Sequence, residues 1–146
     1  MSPRPARPDD LAGLLALYAQ LNPDDPALDV ATAAPAFARM LATPGMTVLV
    51  LERDVALAAT CTLVVIPNLT RGTRPYALIE NVVTDAAHRT RGHGRTVIEA
   101  AIARAWAEGC YKVMLMTGSK RPETLRFYAG IGFAQNKTGF QIRRPD

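Results

Sequence analysis

Residues 77–96 read ALIENVVTDAAHRTRGHGRT. A run with strand character, Tyr76 to Thr84, gives way at Asp85 to a polar turn. The turn delivers Arg89-Thr90-Arg91-Gly92-His93-Gly94 to the start of a helical pattern. From Gly94 to Glu108 the residues Val97, Ile98, Ala101, Ile102 and Ala105 recur on one side, and Gly109 supplies the stop. Tyr111 to Thr117 then alternates as a strand. Strand, helix, strand in that order means that the two strands run parallel, joined by one crossover.

The helix start is where the chemistry concentrates. Its first N–H groups lack helical partners and carry about half a positive charge. Glycines at 92 and 94 let those groups approach a ligand with no side chain in the way. Arg89, Arg91 and Arg95 would oppose that positive end unless an anion neutralised them, so three arginines there point to a bound pyrophosphate. Two other phosphate motifs fail. A dinucleotide fingerprint needs a third glycine where Val97 stands, and a P-loop needs Gly-Lys-Ser/Thr where the chain has Gly118-Ser119-Lys120.

Outward from this segment, Asp9 to Leu21 reads as an amphipathic helix capped by Asp9, with Leu11, Leu14, Leu15 and Tyr18 on one face. Asp29 to Ala42 reads as a second helix with Phe37, Met40 and Leu41 inward and Pro35 near its start. Thr47 to Glu52, Ala56 to Ile66 and Tyr76 to Thr84 form an antiparallel meander. Pro122 to Ala129 is a short helix with proline in its first turn. Phe133 to Gln135 and Gly139 to Ile142 would close the chain as two short strands. The order predicts an α/β sandwich around a mixed sheet.

A chain of 146 residues, 49% hydrophobic and 21% charged, has the size and apolar content of one compact domain, residues 1–146, and not of a disordered tail. The longest nearly apolar run, Val55 to Pro67, is too short for a membrane span. The first apolar stretch follows Asp9-Asp10 and has no signal-peptide pattern. Cys61 and Cys110 form no CxxC pair and have no histidine at metal spacing, so no metal and a reduced, cytoplasmic setting are expected. Both read as small buried hydrophobes. Charge is uneven: residues 1–88 carry −3 and residues 89–146 carry +7, which together make the +4 of the chain. Nucleic acid is disfavoured as the anionic partner, because nine aromatic residues offer bases little to stack on. A small anionic cofactor explains the same asymmetry.

Arg89-x-x-Gly92-x-Gly94 on a strand–turn–helix, followed by Arg126-Phe127-Tyr128-Ala129-Gly130-Ile131-Gly132-Phe133, resembles the GNAT superfamily of acetyl-CoA-dependent N-acyltransferases. The likeness covers nearly the whole chain. It implies a three-layer sandwich with a mixed, mostly antiparallel sheet splayed at its centre, and a short first strand at Arg4 to Arg7. It also implies acetyl-CoA as cosubstrate. Val82, Val83 and Thr84 would pair with the pantetheine arm, and Arg89, Thr90, Arg91, Gly92, His93, Gly94, Arg95 and Thr96 would hold the pyrophosphate. Tyr128 matches the family tyrosine that protonates the departing thiolate. His93 would contribute a backbone N–H. Where the family usually has a cofactor-contacting asparagine, this chain has Arg121.

Glu80 is the one acid in the strand Tyr76 to Val83, and a carboxylate there costs free energy unless it is exposed or used. Strand alternation puts Glu80 and Val82 on the same face. The resemblance makes Glu80 the general base. The segment Ile-Glu-Asn-Val-Val is similar to glucosamine-phosphate acetyltransferases, which have an acid where Asn81 stands; Thr-x-x-Lys-Arg is similar to aminoalkylphosphonate acetyltransferases. Asn81, Lys120 and Arg121 are therefore expected to bind the acceptor, a small-molecule or peptide amine. Trp106, Met114 and Met116 read as packing residues. The expected activity is direct acetyl transfer to a primary amine, with no membrane partner; a homodimer stays open. The alternatives are a non-catalytic acetyl-CoA-binding regulatory module and a nucleic-acid-binding module.

Overall fold

The computed structural model describes residues 2–146 and contains two compact units, Met1–Leu115 and Met116–Asp146. In the first unit, the expected strand at Arg4 to Arg7 forms only at Arg4–Pro5 (β1). It pairs antiparallel with β2 (Met46–Arg53) through Arg4↔Val50 and Pro5↔Leu49. Prolines lack the N–H that a longer ladder needs, which confines this strand to two residues at the sheet edge.

A 3-10 turn, Pro8–Asp10, leads into α1 (Leu11–Leu21). Asp9 does not cap it. Asp10 holds that place, and its carboxylate instead accepts from Arg7 N at 2.7 Å and from the Arg4 guanidinium at 2.8 and 3.0 Å. Arg4 also reaches Glu52 Oε1 at 2.9 Å, so one side chain ties β1, the turn and β2 together. The Arg4 guanidinium holds the Asp10 carboxyl below its ordinary range. α2 (Val30–Ala42) starts on Asp29, whose Oδ1 accepts from Thr32 N at 2.7 Å. Pro35 lies inside α2 without ending it.

Strand β2, β3 (Ala56–Ile66) and β4 (Tyr76–Thr84) form the expected antiparallel meander, and β5 (Val113–Leu115) adds in parallel to β4, giving the order β1-β2-β3-β4-β5. α3 (His93–Ala107) makes the crossover. One face of the sheet packs on α1 and α2 in a core of Leu11, Leu14, Leu17, Ala33, Phe37, Val48, Val50, Leu57 and Val83. On the other face α3 buries Val97, Ile98, Ala101 and Ala105. There the Cys61 Sγ lies 3.6 Å from Val97 O, and burial pushes its thiol up to about 12, consistent with a packing role. The result is helices, sheet, helix: three layers, as expected.

In the second unit α4 (Pro122–Ile131) ends at Gly132, where φ is +121°. Phe127 and Phe133 set their rings edge-on to Tyr128, with centroids 5.1 and 6.1 Å away. The two closing strands expected at Phe133 to Gln135 and Gly139 to Ile142 do not form, and Phe140 and Ile142 are 91% and 98% exposed. A ribbon of three and four residues has too few ladder bonds to hold by itself. Two packing expectations also fail: Trp106 and Met116 are mostly exposed.

Candidate functional site

Strand β4 pairs with β5 only through Ala77↔Val113, Leu78↔Met114 and Ile79↔Leu115. From Glu80 onward that edge of β4 has no partner strand among the described residues; β5 is the last strand of the sheet, so this break in pairing lies at the sheet's edge and not at the centre where the splay is expected. On its other edge β4 bulges. Thr62 pairs with Glu80 and Thr60 with Val83, so the single residue Cys61 stands opposite both Asn81 and Val82. Asn81 sits at φ +52°, a left-handed conformation that asparagine tolerates better than most side chains. Glu80 and Asn81 are exposed, Val82 and Thr84 half-buried, and Val83 buried.

The bulge corrects the face assignment. Simple alternation puts Glu80 with Val82; with one extra residue in the strand, Glu80 shares its face with Val83, because their partners Thr62 and Thr60 lie on one side. On that side Tyr18 of α1 brings its hydroxyl beside Thr60 and Thr62. Thr60 Oγ1 donates to Leu49 O at 2.7 Å, but the buried Tyr18 hydroxyl and Thr62 Oγ1 have no hydrogen-bond partner of good geometry. Burial raises the Tyr18 phenol, and the threonine hydroxyls oppose the rise. In the sequence Tyr18 reads as one more apolar-face residue of its helix and Thr62 carries no signal, since nothing local marks a hydroxyl that tertiary packing leaves unpaired.

Past Thr84, Asp85 Oδ1 accepts from Ala87 N at 2.8 Å and shapes the turn. Gly92, at φ +78°, ψ 9°, is the N-cap of α3 and offers no side chain, so no capping hydrogen bond forms there. The backbone of Thr96 donates to Gly92 O at 3.0 Å, and its hydroxyl does the same at 2.8 Å. The first-turn N–H groups of His93, Gly94 and Arg95 are left without helical acceptors. Arg89 Nε donates to Thr84 O at 3.4 Å, and Arg89, Thr90 and Arg91 are exposed. Arg95 departs from the expected picture: it is paired along the helix with Glu99. His93 is 8% exposed, with its ring 5.9 Å from His88. Burial, then the charges of Arg53, His88 and Arg91, push its pKa below the ordinary value. A left-handed glycine, unpaired N–H groups and the exposed side chains of Arg89 and Arg91, neither in an ion pair among the described residues, fit a pyrophosphate.

Lys120, Arg121 and Tyr128 belong to the second unit. Lys120 and Arg121 are exposed, and Arg121 is the N-cap of α4 with Nε 3.4 Å from Glu123. Tyr128 is half-buried between its two aromatic neighbours. Among the described residues no group of three or more His, Cys, Asp and Glu is placed to hold a metal ion.

Residues 14–133 match the family model described as acetyltransferase (GNAT) family. A glucosamine 6-phosphate N-acetyltransferase 1 from Oryza sativa subsp. japonica is 34% identical over 136 residues, covering 88% of this chain and 80% of the relative. A solved chain from Agrobacterium tumefaciens str. C58, assigned as an acetyltransferase, is 55% identical at a TM-score of 0.96, covering 99% of this chain and 100% of that one. The glucosamine-6-phosphate N-acetyltransferase of Arabidopsis thaliana shares the fold at a TM-score of 0.87 and 23% identity, covering 99% and 98% of the two chains.

Proposed function

This chain belongs to the acetyltransferase (GNAT) family, and on that premise we propose how it acts and on what. It is an acetyl-CoA-dependent N-acetyltransferase that acetylates a primary amine. The acceptor we propose is a phosphorylated amino sugar, on the strength of the curated relatives. The family match runs through both units, which supports reading residues 1–146 as one domain.

The observation that carries the residue assignments is the loss of β4's partner at Glu80, followed by a bulge and an uncapped helix start. Val82, Val83 and Thr84 would hold the pantetheine arm along the unpaired edge. The turn and helix start, Arg89, Thr90, Arg91, Gly92, His93, Gly94, Arg95 and Thr96, would hold the pyrophosphate. The cosubstrate supplies an acetyl group activated as a thioester. A primary amine is mostly protonated near pH 7 and cannot attack until it loses that proton. Glu80, exposed at the bulge, takes it, directly or through water. The N–H groups of Val82 and Val83 face the charge that grows on the carbonyl oxygen as the carbon–nitrogen bond forms. As the carbon–sulfur bond breaks, the Tyr128 hydroxyl gives its proton to the leaving sulfur. Asn81, Lys120 and Arg121 are assigned to the acceptor.

No helix among the described residues is long and apolar enough to cross a membrane. Two free, buried cysteines support a cytoplasmic location. Phe140 and Ile142, alternate exposed residues of an unpaired segment, support a homodimer in which a second copy covers them. The test of the activity is a thiol-release assay with acetyl-CoA and a panel of amines. Release that depends on glucosamine 6-phosphate is expected; release that no amine stimulates would remove the proposal.

A further inference from the structure

Strand β4 ends at Thr84, and residues 85–92 carry the chain to the start of α3. Asp85 N donates to Ala58 O at 2.8 Å, which holds the first of these residues to β3. A single 3-10 turn follows, Ala86–His88, with Asp85 Oδ1 accepting from Ala87 N at 2.8 Å and Asp85 O accepting from His88 N at 2.9 Å. Arg89, Thr90 and Arg91 are exposed, and Thr90 adopts a left-handed φ of +67°. Bonds inside such a segment shape it but do not fix where it lies against the rest of the fold.

A side chain from α1 supplies that fix. Gln20 stands in the last turn of α1, half-buried. Its Oε1 accepts from Ala86 N at 2.8 Å, and its Nε2 donates to Asp85 Oδ2 at 3.4 Å. Each end of the amide meets a partner of the right polarity, oxygen on the N–H and nitrogen on the carboxylate. Ala86 N is the first N–H of the 3-10 turn and has no acceptor within it, so Gln20 satisfies a group that local structure leaves open. Among the described residues Gln20 is the one side chain outside the connection that hydrogen-bonds residues 85–91. Its support is firm, because Leu14 and Leu17, each 1% exposed, pin α1 to the sheet.

We propose that Gln20 is a positioning residue for the cosubstrate: by holding Asp85 and Ala86 it keeps the turn at residues 89–92 in its binding conformation before acetyl-CoA arrives. This rests on the cofactor placement proposed above. Gln20 acts on the free protein, since a turn already in place gives up less freedom when the ligand binds. The effect therefore falls on cofactor affinity and not on turnover at saturation, because Glu80 and Tyr128 are left as they are.

Gln20→Met keeps the length of the side chain and removes both hydrogen bonds. The acetyl-CoA KM, and the Kd of CoA by calorimetry, should rise at least about fivefold, the size of one lost hydrogen bond, with kcat and the amine KM unchanged. Gln20→Glu adds a readout that packing does not move. Ionised, its carboxylate opposes that of Asp85; protonated, its carbonyl oxygen accepts from Ala86 N and its O–H donates to Asp85, as the amide does. His88 and Arg89 on the turn, and Arg4, Arg7, Asp9, Asp10 and Glu52 around the hollow that Asp85 lines, are common to both proteins, so the ratio of variant to wild-type Kd isolates the new carboxyl. That ratio should fall several-fold between about pH 8 and about pH 5. Wild-type affinity in Gln20→Met, or a flat ratio for Gln20→Glu, overturns the proposal. Should Gln20→Met melt early, the Gln20→Glu ratio decides alone. Should the wild type bind no CoA, or Gly94→Val bind it unimpaired, the cofactor placement has failed on its own, and amide exchange at residues 85–91 decides the brace. Faster exchange in Gln20→Met upholds it, and equal exchange overturns it.

Discussion

Thr62 and Glu80 stand directly opposite each other in the β3–β4 ladder, and the hydroxyl of Thr62 is buried without a hydrogen-bond partner. Leaving a buried hydroxyl unpaired costs about 1–3 kcal/mol. Thr62 and Tyr18 bring two such hydroxyls beside an exposed carboxylate, and the Thr62 hydroxyl is expected to contribute to the site. Thr62→Val removes the hydroxyl and keeps the branched shape. Thermal melting should show a protein stabilised by about 1 kcal/mol, while kcat/KM for the amine falls several-fold. Unchanged activity would reduce Thr62 to a packing residue.

Glu80→Gln keeps the size of the side chain and deletes the base. The acidic limb of the kcat/KM profile should flatten, and raising the pH should partly restore the rate, since more of the acceptor amine is then neutral. A loss that is equal at every pH would make Glu80 a positioning residue, with the proton leaving to water.

At the cofactor turn the two glycines differ. Gly92 is held at φ +78°, so any side chain there strains the backbone as well as obstructing a ligand, and its variants cannot separate the two effects. Gly94 is helical, which makes it the cleaner probe. Gly94→Val should raise the acetyl-CoA Kd at least about tenfold, about 1.4 kcal/mol by calorimetry. A folded variant with wild-type affinity would place the pyrophosphate elsewhere.

His93 links stability to pH. Its pKa is pushed below the ordinary value of about 6.5, chiefly by burial. As pH falls below about 6.5 the unfolded chain takes up the proton first, so stability is full above that point and declines below it, down through the lowered folded value. Urea unfolding between pH 7 and 5 should show this decline, and His93→Gln should make it shallower. An identical slope in the variant would assign it to other groups.

The β2–β3 turn carries avoidable strain. Asp54 and Val55 both adopt positive φ, 51° and 61°, and Val55 is fully exposed. A β-branched residue gains nothing from that position. Val55→Gly completes a favoured two-residue hairpin turn, and the relieved strain of about 1–2 kcal/mol exceeds the extra chain entropy of glycine of about 0.5–1 kcal/mol. The urea midpoint should rise with an unchanged slope.

Much of this protein is legible in its sequence, because the deciding signals are local. The glycines and arginines of residues 89–95 mark a helix start, and the spacing of Val97, Ile98, Ala101 and Ala105 marks the face that α3 buries. The match to the acetyltransferase family carries the same weight over residues 14–133. What depends on a distant partner had to come from the tertiary structure. The bulge at Asn81 arises from how β4 registers against β3, and it moves Glu80 to the face of Val83 by inserting one residue that no local alternation foretells. The unpaired hydroxyls of Tyr18 and Thr62 arise where α1 meets the sheet, and Arg95 is occupied by Glu99. Gln20 reaches Asp85 and Ala86 because α1 packs against β4, bringing together residues 65 and 66 positions apart. Composition and period describe what a residue prefers; its neighbours across the sheet, set by register and packing, decide what its side chain can do.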